Sequence, residues 1–327
     1  MTPREEQLRR EYVGRIERVA DYVYAHCGED FGIDDLADVA AFSRFHFHRI
    51  FASVTGETVS DFVKRIRLQR AASLLSARPA DPVTEIALAA GFSSPSVFAR
   101  AFKEHFGVTA SEWRRLGSEE RCARARSTEG QGLGTDGQSE STSGQDGTGP
   151  APYSPGMLFA EMRRKEMSKL KFAVEVKDLP EMTVAYARHI GPYNQIPEAF
   201  ERLGRWARPR GLYAVPGSLS LAVYHDDPDN TAESKLRSSA CVTVAPGTEV
   251  SGDINLMTIP GGKYAVARFE IRPDQFGEAW NALMGEWFPS SGWQPDDRMC
   301  FEVYIQDPED NPEGHFVIDI CEPVRPL

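Results

Sequence analysis

The chain has 327 residues, enough for two domains, and its 41% apolar and 26% charged residues are typical of a globular protein. No stretch approaches 18 uninterrupted apolar residues and the N-terminus lacks a long apolar region, so we expect neither a membrane span nor a secretory signal. The net charge of −11 arises mostly in residues 169–327, with 15 basic and 24 acidic side chains, whereas residues 1–116 carry 16 of each and remain compatible with DNA binding.

The cysteines bear on location and on metal binding. There are five of them, Cys27, Cys122, Cys241, Cys300 and Cys321, and none forms a C-x-x-C pair. The odd number predicts reduced thiols and a cytoplasmic protein, and it gives little support for a metal site. His46 and His48 would point in different directions on a helix and would not share a metal. Since no Gly-rich phosphate loop or nucleophile elbow is present, we expect no cofactor and no catalytic residue.

The N-terminal half reads as helices, because its apolar residues recur every three or four positions from Leu8 onward. Two stretches, Leu36 to Phe62 and Ile86 to Trp113, match each other at an offset of about 50. Each predicts a short helix with small residues, a turn with a capping serine (Ser43; Ser93 or Ser94), and a second helix ending at a glycine (Gly56; Gly107). Helix, tight turn, helix is the arrangement of DNA-reading helix-turn-helix units. A longer helix, Val59 to Ala77, links the two.

The second stretch carries a specific resemblance. The run Ala87 to Ser93, with Phe98, Phe102-Lys103 and Phe106 to Thr109, closely resembles the DNA-binding domain of the AraC/XylS family, and the resemblance extends over residues 5–116. It implies an AraC-type DNA-binding domain over residues 1–117. It also implies that the two second helices enter successive major-groove segments, roughly 34 Å apart, on one face of the DNA.

The resemblance also implies which side chains face DNA. We call the second helix of the first stretch the first reading helix. Its side chains that face DNA are Arg44, Phe45, His48 and Arg49, and we expect the last three to contact bases. The second reading helix is the second helix of the second stretch, and its side chains that face DNA are Pro95, Ser96, Val97, Ala99, Arg100 and Lys103. Arg100 could pair with guanine and Lys103 with phosphate, while Pro95, Val97 and Ala99 offer few hydrogen bonds. The family more often has tryptophan and glutamine where this chain has Phe45 and His48, which leaves the operator sequence open.

A tether is predicted between the two halves. Residues 127–155 are rich in Gly, Ser, Thr and Gln and contain few large apolar residues, so they cannot bury enough surface to offset their ordering entropy. We therefore assign residues 118–168 to a flexible linker and residues 169–327 to a separate domain. Residues 162–171 are more basic and predict a short helix or the approach to a strand.

The C-terminal half also repeats itself, at an offset of about 80. Ala185 to Arg188 matches Ala265 to Arg268, and Val223-Tyr224 matches Val303-Tyr304. Each repeat reads as strand, helix, strand, strand, with alternating strands at 183–189 and 299–306. The sequence thus predicts a multidomain protein, in which an all-α double helix-turn-helix domain precedes an α+β domain. We expect the latter to be an antiparallel sheet with two helices on one face and a groove between its halves.

One position breaks the repeat. Glu302 lies among apolar and aromatic residues of a predicted strand, whereas its repeat partner is Ala222. A carboxylate in a half-buried strand is costly unless it is paired, so Glu302 is a functional candidate. A glutamate on the solvent face of an amphipathic strand is the alternative.

Residues 170–325 resemble the GyrI-like, SHS2-repeat effector-binding domain. Four runs carry this resemblance, at 188–193, 259–266, 287–292 and 301–304. It implies an aromatic pocket around Glu302 and Tyr304 that takes cationic or amphipathic ligands. The possible walls of this pocket are Tyr193, Trp206, Tyr264 and Trp287. Aromatic faces beside a carboxylate favour an organic cation, although each of these aromatic residues could equally belong to the core.

The leading hypothesis is a transcription regulator in which a small-molecule effector, bound by the C-terminal domain, controls binding of promoter DNA. A second hypothesis is hydrolysis of small electrophiles with Glu302 as base; the fused DNA-binding half favours sensing over turnover. A third is a module that contacts a protein such as RNA polymerase or a topoisomerase. The effector, the operator, the oligomeric state and the sign of regulation remain open.

Overall fold

A computed structural model describes residues 2–44, 46–129, 169–226 and 231–327. Phe45 and most of the predicted linker lie outside the described residues. The chain forms two compact units. The first, which we call the sheet unit, comprises Met1–Val13, Ala41–Val54 and Lys165–Leu327; the second, the helical unit, comprises Gly14–Ala40 and Thr55–Arg164. The segment Ala41–Val54, which contains the first predicted reading helix, thus groups with the C-terminal half.

Helices fill the N-terminal half, as predicted. They are α1 (Pro3–His26), α2 (Ile33–Ala40), α3 (Phe47–Thr55), α4 (Val59–Ala77), α5 (Val83–Ala89), α6 (Pro95–Phe106), α7 (Ala110–Arg115) and α8 (Ser118–Glu129). The last of these covers the start of the predicted linker. No helix in the described ranges is both long and apolar enough to cross a membrane.

The second helix-turn-helix belongs wholly to the helical unit. Ser94 caps α6 by accepting a hydrogen bond from the Val97 amide, and Pro95 occupies the first turn, where its missing N–H costs nothing. The helix ends at Gly107, whose φ of +71° is the left-handed conformation that favours glycine. Buried aromatic residues join α6 to its neighbours, and they are Phe92, Phe98, Phe102, Phe106 and Trp113. This packing fixes the direction in which the opposite face of α6 points.

The C-terminal half is a mixed arrangement of strands and helices. The strands are β1 (Phe172–Leu179), β2 (Met182–Ile190), β3 (Ser220–Tyr224), β4 (Arg237–Thr243), β5 (Ile254–Ile259), β6 (Gly262–Ile271), β7 (Trp293–Pro295), β8 (Phe301–Gln306) and β9 (Phe316–Pro326). The sheet has the order β1-β6-β9-β8-β3-β4-β2-β5, with β7 beside β9. Two helices connect strands, α9 (Pro197–Ala207) and α10 (Phe276–Ala282), and α10 continues through a π-helical turn into α11 (Phe288–Ser291).

The predicted repeat is present, with one addition. The units β2-α9-β3-β4 and β6-α10-β8-β9 follow the predicted order, and every described strand pair is antiparallel. Each unit also has a leading strand that pairs with the other unit: β1 with β6, and β5 with β2. The two halves of the domain therefore hold each other through backbone hydrogen bonds at both ends of the sheet.

The repeats meet at β3 and β8. Ala222 pairs with Glu302, Leu221 with Val303, and Val223 with Phe301. Since this register is symmetric about the first pair, the repeat-equivalent residues Ala222 and Glu302 lie directly opposite each other. The local two-fold axis of the domain therefore passes between the methyl group of Ala222 and the carboxylate of Glu302. The small alanine leaves room for the larger side chain.

Candidate ligand and DNA sites

Glu302 is fully enclosed, with an exposed fraction of 1%. Three side chains donate hydrogen bonds to it. The Trp280 indole Nε1 lies 2.6 Å from Oε1, and the hydroxyls of Tyr224 and Tyr304 lie 2.8 Å and 3.1 Å from Oε2. These donors come from α10, β3 and β8, so both repeats build the site. A buried carboxylate is tolerated only where such donors replace water.

Burial governs the protonation of this cluster. It raises the pKa of Glu302 above the usual range, and the hydrogen bonds from Trp280, Tyr224 and Tyr304 oppose the rise. Burial, followed by the charge of Glu302, raises the pKa of both tyrosines well above their usual value. The tyrosines therefore remain donors at neutral pH, whereas the glutamate is held closer to protonation than an exposed one.

The raised pKa of Glu302 predicts a pH-dependent stability. A folded-state pKa above the unfolded value means that the unfolded chain loses its proton first. The free energy of unfolding therefore falls as the pH rises above about 4.3 and through the folded-state pKa, by up to roughly 1.4 kcal/mol per pH unit. Glu302→Gln should remove this slope, which unfolding of the full chain between pH 4.5 and 8 would show. Exposed Glu201→Gln is the matched control, and equal slopes in all three proteins would contradict the prediction.

Aromatic rings surround the carboxylate cluster. The Phe200 ring of α9 meets Tyr304 edge-on at 5.4 Å, and Phe316 lies 6.0 Å from Tyr304. On the other side, Tyr193 meets Tyr224 at 4.8 Å. The helices α9 and α10 thus lie on the face of the sheet that carries Glu302, as the sequence predicted for the two helices. The result is one carboxylate within an aromatic shell, which suits a cation with apolar surface.

The residues proposed as pocket walls are distributed unevenly. Tyr304 contacts Glu302 directly, and Tyr193 joins through Tyr224. Trp206 belongs to the apolar cluster beneath α9, against which Tyr304 packs. Tyr264 packs on Phe301, in the cluster on the opposite face of the sheet, and its hydroxyl donates to the Pro260 carbonyl. Trp287 packs edge-on against Phe288.

Two contacts of Glu302 were not among the predicted site residues, namely Tyr224 and Trp280. The repeat contained the signal for both, because Tyr224 matches Tyr304 and Trp280 matches Phe200. Their convergence depends on the β3–β8 register, which places Ala222 and Glu302 side by side. The repeat would have added Tyr224 through its match to Tyr304, whereas Phe200, the match of Trp280, was not among the predicted site residues.

The second reading helix presents its predicted DNA face. Pro95, Ser96, Val97, Ala99, Arg100 and Lys103 are all exposed, in contrast to the buried aromatic residues on the opposite side of α6. Val97, a large apolar residue, is 54% exposed. An exposed helix face with two cations and small apolar residues fits contact with phosphates and thymine methyl groups.

The first reading helix has a different environment, since most of the side chains of α3 are buried. His48 is only 6% exposed, whereas Arg44 is exposed. The hydroxyl of Ser43 donates to Asp297, and His46 Nδ1 lies 2.8 Å from the buried carboxylate of Glu322. Of the three residues predicted to read bases, His48 is buried and Arg49 is partly buried, while Phe45 lies outside the described residues.

Arg49 has the most informative position in this segment. Its guanidinium carbon lies 4.2 Å from the centre of the Trp280 ring, which is the indole that donates to Glu302. Its charge opposes the rise in the pKa of Glu302, and it also lowers the pKa of Cys300 against the effect of burial. A predicted DNA-reading side chain thus lies at the candidate ligand site.

One group in the described residues has the composition of a metal site. Single ligand atoms of Glu270, Glu313 and His315 lie within 4.8 Å of one another. The two carboxylates are exposed, and Asn311 donates a hydrogen bond to Glu270. Exposed acidic residues often cluster without an ion, so we assign no metal to this group.

Comparison with known proteins matches both halves. Residues 172–325 match the GyrI-like small molecule binding domain, and residues 36–116 match a helix-turn-helix domain. The chain belongs to the AraC-type transcription regulators that carry a GyrI-like domain. The regulator is similar to the DNA gyrase inhibitor of Yersinia enterocolitica, with 33% identity over 143 residues that cover 42% of this chain and 88% of that protein. The DNA gyrase inhibitor of Escherichia coli has 33% identity over 157 residues, or 46% and 96% of the two chains.

Solved structures are similar to parts of the regulator. The match to a cryo-EM structure of the EcmrR-DNA complex covers 52% of this chain and 63% of the EcmrR chain, with a TM-score of 0.41 and 19% identity. A transcriptional regulator with an AraC-type DNA-binding domain from Chromobacterium violaceum covers 32% and 91%, with a TM-score of 0.30 and 29% identity. The domain matches make the regulator a DNA-binding protein with an effector-binding domain.

Two side chains of α6 should contribute to DNA binding in different ways. Arg100→Ala should reduce the free energy of DNA binding by about 1–3 kcal/mol and relax the base preference at one position, because arginine reads guanine through two hydrogen bonds. Lys103→Ala should weaken binding to all duplexes alike. It should also reduce the slope of the logarithm of the binding constant against the logarithm of the salt concentration by about 1. Titration of the full chain with a duplex selected from a random library, and with its scrambled form, at several salt concentrations separates the two effects. Exposed Arg205→Ala, in the GyrI-like domain, is the charge-matched control; similar profiles for all three variants would argue against this face.

Proposed function

We propose that the regulator binds an organic cation at Glu302 and that this binding changes its affinity for promoter DNA. The observation that carries the proposal is the buried carboxylate of Glu302 within an aromatic shell, in a domain joined to a DNA-binding domain. A cation stacked on Trp280 would gain from the ring and from the carboxylate at once.

The chemistry favours a cation over an anion or a neutral ligand. Glu302 is ionised more easily when a positive charge lies beside it, so a cation would lower the pKa that burial has raised. An anion would raise this pKa further, and a neutral aromatic molecule would gain only the apolar contacts. Delocalised planar cations suit the indole best, because they are weakly hydrated and stack.

We propose sensing rather than turnover for the same site. Both carboxylate oxygens of Glu302 already accept hydrogen bonds, Oε1 from Trp280 and Oε2 from the two tyrosines. A general base must direct a lone pair at the proton of an attacking water, and these three donors leave only one of the roughly four acceptor positions of the carboxylate. Incubation of the full chain with a cation that it binds should therefore return the cation unchanged, while steady release of a product would favour the hydrolase hypothesis. Contact with RNA polymerase remains a prediction from the sequence.

The test compares a cation with its neutral isostere. Phenylguanidine and phenylurea have nearly the same shape, but only the former is charged at pH 7. Phenylguanidine at 100 times its Kd should stabilise the full-length regulator by about 2.7 kcal/mol, whereas phenylurea at the same concentration should have a small effect. The cation should also change the affinity for a duplex selected from a random library, measured by fluorescence anisotropy. Equal stabilisation by both compounds, or DNA binding unaffected by a bound cation, would refute the proposal.

A further inference from the structure

A cation of the protein already lies on Trp280. The Arg49 guanidinium is stacked 4.2 Å from the ring centre, and its charge acts on Glu302 and on Tyr193, two residues of the aromatic cluster. This planar, delocalised cation on an indole beside a carboxylate is the arrangement expected for the effector itself. Arg49 therefore has the chemistry of an internal ligand.

Further contacts hold the Arg49 segment in the sheet unit. Ser43 donates to Asp297, and the buried pair of His46 and Glu322 lies three residues before Arg49. At the far end of α3, a methyl group added to Gly285 would lie 3.3 Å from the Cβ of Ser53, so the two backbones pack closely. Four successive contacts over eleven residues define a docked helix rather than a single chance stacking.

Docking and DNA reading exclude each other for this helix. His48 and Arg49 are two of the three residues expected to contact bases, and His48 is buried while Arg49 covers Trp280. A side chain stacked on an indole cannot also pair with a base edge in the major groove. The second reading helix, α6, has its face exposed in the same structure. The regulator therefore has one reading helix available and one withheld.

We propose that Arg49 occupies the effector site as an internal competitor, and that an organic cation releases α3 for DNA by displacing it. This inference rests on the proposed function, because it assigns the regulation of the same Glu302 site. It defines the coupling between the Glu302 site and the DNA-binding face. The cation competes with Arg49 for the Glu302 site, and DNA competes with the sheet unit for α3. Cation and DNA then favour the same undocked state, so each should raise the affinity for the other by the same factor.

The first experiment removes the competitor. Arg49→Ala in the full chain should bind phenylguanidine at least tenfold more tightly than the wild type, because no docked side chain has to leave. Arg205→Ala removes the same charge from an exposed position of α9 and should leave the Kd unchanged. Binding by Arg49→Ala alone, with none by the wild type, also supports the inference. An unchanged Kd in Arg49→Ala overturns it while the proposed function stands, and absence of binding to all three proteins overturns both.

The second experiment tests docking without any ligand. A Cβ at Gly285 would lie 3.3 Å from the Cβ of Ser53, and a shift of a few tenths of an ångström would bring the pair to the roughly 3.5–4.5 Å of disulfides. Ser53→Cys with Gly285→Cys should therefore lock α3 in the sheet unit on oxidation. The oxidised double variant should bind the selected duplex at least tenfold more weakly than its reduced form, and phenylguanidine should slow the formation of the disulfide. The two single variants control for the native cysteines and for strain at Gly285. Equal DNA affinity of the oxidised and reduced forms would overturn the inference whatever the ligand does.

Discussion

Glu302→Gln should weaken the binding of phenylguanidine to the regulator by about 30-fold or more. Glutamine retains the shape of the side chain and can still accept from Tyr224, Tyr304 or Trp280, so the variant removes the charge with little change in packing. Loss of one partner from a buried charge pair costs about 2–5 kcal/mol, which corresponds to that range of affinity. Isothermal titration of the full chain would measure the loss.

Two controls make the result of this substitution specific. Glu201→Gln removes a carboxylate from the exposed surface of α9 and should leave the Kd unchanged. Phenylurea should bind weakly to the wild type and to Glu302→Gln alike. If Glu302→Gln binds phenylguanidine as tightly as the wild type does, the charge of this residue has no part in recognition, and the apolar contacts of the aromatic shell would have to account for binding.

Gly91→Ala should destabilise the helical unit by about 3 kcal/mol or more. Gly91 has a φ of +85°, and a Cβ at this position would lie 2.1 Å from the carbonyl oxygen of Cys27. The left-handed backbone alone strains any other residue, and here the clash is with backbone that cannot rotate away. Urea unfolding followed by circular dichroism at 222 nm should show the helical transition at lower urea.

The control for this glycine lies in the same unit. A Cβ at Gly117 would meet nothing within 4 Å, and its φ lies outside the left-handed region. Gly117→Ala should therefore leave the transition within about 0.5 kcal/mol of the wild type. Equal midpoints for the two variants would mean that the turn between α5 and α6 can relax around a methyl group.

The sequence predicted the elements of the fold because local patterns determine them. The linking helix was expected at Val59 to Ala77, and α4 has these bounds. The repeat predicted the order of strands and helices in the C-terminal half, but it did not predict that β1 would pair with β6 and β5 with β2. Pairing with the other repeat leaves no local trace, since an alternating strand has the same pattern whichever neighbour it has.

The candidate site was only partly predictable for a similar reason. Glu302 stood out because a charge in a buried strand contradicts its surroundings, whereas Tyr224 and Trp280 are unremarkable aromatic residues until the register places them beside it. The placement of Arg49 on Trp280 joins residues 231 positions apart in the sequence. The first helix-turn-helix is defined by a local pattern, so its sequence contains no sign of a contact with a residue that lies so far along the chain.

The duplication of the GyrI-like domain has a consequence for how the regulator responds to dose. Because Ala222 and Glu302 face each other across the junction of the repeats, two copies of the fold build one shared site rather than two. Each chain should then take up one cation and saturate along a simple hyperbola. Any steeper, switch-like response of transcription to effector concentration would have to arise outside this domain, from paired operator sites or from association of chains on DNA.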